Sequence, residues 1–161
     1  MAENVGRGFS LMGFLAIFVA AAATIMLFAS NICYNAVRDK NVKFVNSCAS
    51  NGKINHNDYY SFASNVSGLG NYSIKIEHKS LMYYPDGAGG YKEDYMCYYN
   101  DEILTYMYPD SGEDLNYEMK AGDFITVTVT KKGSVFTQLW DSMTGSAPQV
   151  ISNYSMMVGQ S

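Results

Sequence analysis

Apolar and polar positions change period along this chain, and each change marks an element. From Phe9 to Ala29 an uncharged apolar run of 21 residues has no polar face. About 20 such residues form a helix long enough to cross a bilayer, whereas the apolar core of a secretion signal is about 7 to 15 residues. The run therefore reads as a transmembrane helix; removal by a cut after Ala29, within LFASN, is the alternative. No glycine or proline follows Gly13 until Gly52, so the helix is expected to continue to about Ala49. Over this second part Val37, Phe44, Val45, Cys48 and Ala49 form one apolar stripe on a polar helix, which needs a cover. A rod of roughly 40 residues follows, embedded in lipid first and packed on a domain afterwards.

Beyond residue 50 the periods shorten. NHNDYYSFASNVSGLG predicts a short helix with Asn55 or Asn57 as cap, Tyr59, Phe62, Ala63 and Val66 as its apolar face, and Gly68 as terminator. NYSIKIEHK alternates, setting Tyr72, Ile74, Ile76 and His78 on one side of a strand and Ser73, Lys75, Glu77 and Lys79 on the other. YPDGAGG is a turn, and YKEDYMCYY returns as a strand with Tyr91, Tyr95, Cys97 and Tyr99 on one face. NDEILTYMYP predicts a helix capped by Asn100 and ended before Pro109. AGDFITVTVTKKG places Ile125, Val127 and Val129 inward and Thr126, Thr128 and Thr130 outward. A helix capped by Ser134 and ended at Gly145 follows, with Phe136, Leu139, Trp140 and Met143 on one face. QVISNYSMMV closes the chain as a strand, with Val150, Tyr154, Met156 and Val158 sharing a face.

This order predicts an α+β fold: a long N-terminal helix packed on a small antiparallel sheet with short helical insertions. The expected organisation is a cytoplasmic leader over residues 1–8, a transmembrane helix over 9–29, an amphipathic continuation over 30–50 and an extracytoplasmic domain over 51–161. Arg7 lies on one side of the apolar run and Arg38, Lys40 and Lys43 on the other, so charge alone does not orient it. Large domains translocate largely regardless of charge, which places the domain outside.

The net charge of −4, with scattered Lys and Arg, gives no electrostatic footprint for nucleic acid. The 14 tyrosines are more telling, because amphipathic tyrosine surfaces are common where proteins make contacts. Cys33, Cys48 and Cys97 have no zinc or redox spacing. On one helix Cys33 and Cys48 would stand about 22 Å apart, too far to bridge. A Cys48–Cys97 disulfide, clamping helix to sheet, is open in an oxidising exterior.

Candidate chemistry is thin, and no catalytic, cofactor-binding or metal-ligating set is assigned. His56 lies at a helix start and His78 on a strand, each reading as a structural residue. Asp110, Glu113 and Asp114 lack the ligand spacing of a calcium loop. GAGG at 87–90 is not followed by Lys-Ser/Thr, as a phosphate-cradling loop would be. The chain does not read as an enzyme.

Within the apolar run Gly13, Ala16, Ala20 and Ala23 line one face, and small faces let helices approach closely in lipid. GRG followed by FSLMGFLAIF resembles the signal of type IV prepilins: a short polar leader ending in Gly, then Phe and a helix that serves as anchor and assembly core. MKAGDFITVTVT through QVISNYSMMVG looks like the tight-adherence, TadE-like branch of single-pass pseudopilins. The resemblance implies peptidase cleavage between Gly8 and Phe9. It also implies a pilin-like subunit of a pilus or of a secretion or adhesion assembly, whose partners are membrane lipid and other pilin-like subunits or an assembly platform. Most pilins carry Glu at the fifth residue after the cut, where this chain has Gly13; a minor, initiating or tip-located subunit is the expectation. The alternative is a membrane-tethered binding module that does not polymerise.

Overall fold

Gly52 ends the first helix. α1 runs Ala2–Asn51, and Gly52 follows at φ +64°, a left-handed conformation that glycine adopts without steric cost. The computed structural model describes residues 2–110, 112–133 and 149–159, with side chains of residues 2–11 and 26 excepted. The helix expected from Ser134 to Gly145 lies outside the described residues. The chain divides into two units, Met1–Asn35 and Ala36–Ser161.

The first unit is helical. Phe14, Ile17, Phe18, Ile25, Leu27 and Phe28 are all more than half exposed, and the stretch beginning at Met12 is long and apolar enough to cross a membrane. Within it Thr24 Oγ1 donates to Ala20 O at 2.8 Å, a local bond one turn back. Such back-bonding would satisfy the hydroxyl in lipid, where there is no water to bond.

The second unit is α+β. After α1 come β1 (Lys53–Ile54), α2 (His56–Gly68), β2 (Tyr72–Pro85), β3 (Tyr91–Tyr99), α3 (Asn100–Met107), β4 (Tyr117–Glu118), β5 (Phe124–Lys131) and β6 (Val150–Met157). Four strands form an antiparallel sheet in the order β3-β2-β5-β6, and β1 pairs with β4 in a separate two-stranded ladder. The stripe read from the sequence is the helix side of the core: Val37, Phe44, Val45, Cys48 and Ala49 are buried, together with Ile76, Ile125, Val127 and Val129 of the sheet. Phe44 stacks on Phe62 of α2 with ring centroids 4.5 Å apart. The end of α1 is tied down as well, since Gly159 N donates to Ala49 O at 3.2 Å and satisfies one of the carbonyls a helix terminus leaves open.

Among the helix ends, the cap of α3 needed correction. Asn55 is the α2 cap, its Oδ1 accepting from Asn57 N at 2.9 Å and Asp58 N at 3.4 Å, and the helix ends at Gly68. Asn100 does not cap α3. It is the first helical residue, and its Oδ1 accepts from Ile76 N at 3.3 Å, extending the β2 edge past the last β3 pair, Glu77 with Tyr99. Glu102 caps the α3 start instead, accepting the Tyr99 N–H at 2.9 Å.

The Cys48–Cys97 bridge is not formed, and all three cysteines are free thiols. Register explains this. Tyr98 pairs with the buried His78, so Cys97, paired with Lys79, projects from the opposite face of the sheet. Cys48 lies in the core beneath the inner face. The sheet separates the two thiols.

Candidate functional site

Candidate residues fall in two places. In the first unit, Gly8 and Phe9 lie within the α1 backbone. Gly13, Ala16, Ala20 and Ala23 are all exposed. A methyl group added at Gly13 would meet no heavy atom within 4 Å. The small-residue face is thus open along its length.

The second place is a polar cluster in the domain, and the sequence reading assigned it no role. It grows from the turn before β5. Asp123 N donates to Lys120 O at 3.1 Å, with Gly122 at φ +92° supplying the positive dihedral a turn of this kind needs. The turn sets the Asp123 carboxylate, 2 % exposed, under β2. There Oδ2 meets His78 Nε2 at 2.8 Å and Lys120 N at 2.8 Å, while Oδ1 accepts from Ser80 Oγ at 3.0 Å and Leu81 N at 3.4 Å. Removal from water pushes this carboxyl up, but the hydrogen bonds from Lys120 N–H, His78 and Ser80 outweigh it and hold Asp123 below its ordinary value.

An ionised carboxylate only accepts, so His78 Nε2 carries a proton. Its Nδ1 lies 2.9 Å from the Tyr117 hydroxyl. The β1–β4 ladder, pairing Ile54 with Tyr117, holds that tyrosine in place. Burial, and then the neighbouring Tyr98, Asp123, Glu102 and Tyr106, push the Tyr117 phenol up to about 12. With a neutral imidazole the chain of donation runs from Tyr117 O–H to His78 Nδ1, and from His78 Nε2–H to Asp123.

Above this network is a depression of about 520 Å3. Tyr98 of β3 stacks on His78 with centroids 5.4 Å apart, and Tyr117 meets His78 edge-on. Tyr106 of α3 stands against Tyr117 at 89°, centroids 5.6 Å apart. Met82, Glu102, Glu118 and Lys120 complete the lining. The imidazole at its base is engaged on both nitrogens.

The structure puts the other candidates elsewhere. His56 Nε2 is 3.8 Å from Asp114 Oδ2, which brings one residue of the acidic loop to the start of α2. Among the described residues no three His, Cys, Asp or Glu side chains converge as a metal set. The inward face of β2 was the one signal for the cluster, since it placed His78 with Ile74 and Ile76. No protein-family model, curated protein or solved structure matches the chain.

Proposed function

We propose that this protein is a pilin-like, membrane-anchored structural subunit, a minor component of a surface pilus or of a secretion or adhesion assembly. One observation carries the reading. A single helix, Ala2–Asn51, supplies exposed apolar side chains over its first part and the core-facing stripe of an antiparallel sheet over its last. An anchor needs only the first and a soluble domain only the second. A helix that does both suits a subunit that must leave lipid for a helical assembly without losing its domain.

In this reading Gly13, Ala16, Ala20 and Ala23 form the contact face for neighbouring helices, and packing rather than water exclusion drives their association. Gly13 stands where a buried carboxylate would otherwise need a partner, so entry of this subunit into a bundle carries no charge-burial cost at that position. The domain lies outside the membrane.

The tyrosine-lined depression favours a second reading, a tethered binding module that does not polymerise. Intact mass and N-terminal sequencing of the membrane-extracted protein, with analysis of material sheared from cells, separate the two. A terminus at Phe9 and recovery in the sheared fraction support the subunit. Retained Met1 with no sheared material favours the tethered module. A terminus at Ser30 or Asn31 overturns the anchor in both.

A further inference from the structure

We propose that the depression between α3, β4 and the β2–β3 ladder binds an organic cation bearing a methylated or quaternary ammonium group. Its walls are Tyr98, Tyr106 and Tyr117, and the two phenol rings of Tyr106 and Tyr117 are nearly perpendicular. Rings in different planes surround a compact, roughly spherical group; a flat sugar is served better by one broad platform. Their π-faces attract cations. Charge points the same way: the exposed Glu102 and Glu118 sit on the rim and Asp123 lies beneath it, against Lys120 and the engaged His78. A phosphate or carboxylate would face three carboxylates.

The lining selects among cations. The acceptors that a primary ammonium would seek, Glu102 and Glu118, are exposed to solvent, whereas the walls are aromatic rings and Met82. A primary ammonium gives up water against the apolar part of that lining for few N–H partners in return. A trimethylammonium has no N–H to satisfy, and its methyl groups suit Met82 and the aromatic walls. This proposal does not rest on the subunit reading: N-terminal processing and shearing report on the helix, ligand titration on the domain.

The test is titration of the full chain, in maltoside micelles, with choline and with its uncharged carbon analogue, in which a tert-butyl group replaces the trimethylammonium. Heat of binding and the methyl signal of Met82 are followed. Choline is expected to saturate the protein and the analogue is not. Tyr106→Leu, at a half-exposed ring, and Glu118→Gln, at an exposed carboxylate, are each expected to weaken choline by about fivefold while the melting temperature is kept. Glycerophosphocholine tests the source of the group: tighter binding than choline assigns it to a lipid headgroup, weaker binding to a free solute, and either supports a trimethylammonium site. Equal binding of the uncharged analogue, or no saturable response to choline, overturns the proposal.

Discussion

The Asn41 carboxamide on α1 donates from Nδ2 to the Ser152 hydroxyl on β6 at 2.8 Å, joining residues 111 positions apart. The same nitrogen reaches Val127 O on β5 at 3.0 Å. Asn41 is fully buried, one turn from Val37 and one from Val45 on the stripe that faces the sheet. Apolar packing alone would tolerate a helix sliding along that face. A directional bond to two strands fixes its register.

Asn41→Ala is therefore expected to destabilise the domain by about 1–3 kcal/mol, the cost of stranding buried partners together with the lost packing. Denaturant unfolding of the full chain in micelles measures it. In a double-mutant cycle with Ser152→Ala the two losses should couple by about 0.5 kcal/mol or more; strict additivity would remove the proposed register bond.

Asp123 makes stability depend on acid. Its carboxyl titrates below the ordinary value of 3.8 in the folded state, so the unfolded chain takes up that proton first. The contribution is fully present above the unfolded value and is lost as the pH falls through the folded one. Asp123→Asn should lower the denaturation midpoint at neutral pH and flatten the acid limb of a midpoint-against-pH curve. A variant keeping the wild-type acid limb would show that other carboxylates set it.

Much of the domain was legible because its signals are local. Ile125, Val127 and Val129 alternate with threonines, and all three are fully buried; the α1 stripe was equally plain. What escaped depends on distance or brevity. A two-residue strand such as β4 has no period to detect, so Tyr117 gave no sign of facing a histidine 39 positions away. Asp123 stands at the start of the β5 segment without a periodic signal, and its carboxylate is held by His78, Ser80 and Leu81 of β2, more than 40 positions away. Asn41 lies one turn from Val37 and from Val45, and only its bonds to Val127 and Ser152 on the distant sheet account for a buried amide there. Asn100 has the chemistry of a cap, yet the unpaired Ile76 N–H at the sheet edge takes its oxygen.

The thiols offer a check on sheet orientation. Cys97 is half-buried on the outer face and Cys48 is 1 % exposed in the core. A maleimide should label Cys97 in the folded protein and Cys48 only after denaturation. Mobility of the protein should be the same with and without reductant. Protection of Cys97 together with Cys48, reversed by reductant, would mean that a bridge forms after all.

Gly52 is required for its backbone rather than for space. A methyl group there would meet Met119 O at 3.6 Å and Val158 Cγ1 at 3.9 Å, ordinary contacts, but φ is +64°. Gly52→Ala should cost about 1–2 kcal/mol. Gly52→Asn, which tolerates the left-handed region better, should cost less. Equal losses would point to side-chain crowding.

The small face of the apolar segment is tested most cleanly at Gly13, because space there is unoccupied in the single chain. Ile at this position meets nothing within 4 Å of its Cβ and replaces a residue with poor helix propensity. The fold of one chain has no reason to suffer. If helices approach one another along Gly13, Ala16, Ala20 and Ala23, a branched side chain at 13 holds them apart and removes the close contact that drives association in lipid. Gly13→Ile should thus keep expression, membrane insertion and the melting temperature of the domain while lowering crosslinked oligomer in native membranes. Phe14→Ile, one position round the helix, serves as control and should leave crosslinking unchanged. Equal effects from the two variants would assign the contact to general hydrophobicity, and loss of insertion in Gly13→Ile would place position 13 in the anchor's own folding instead.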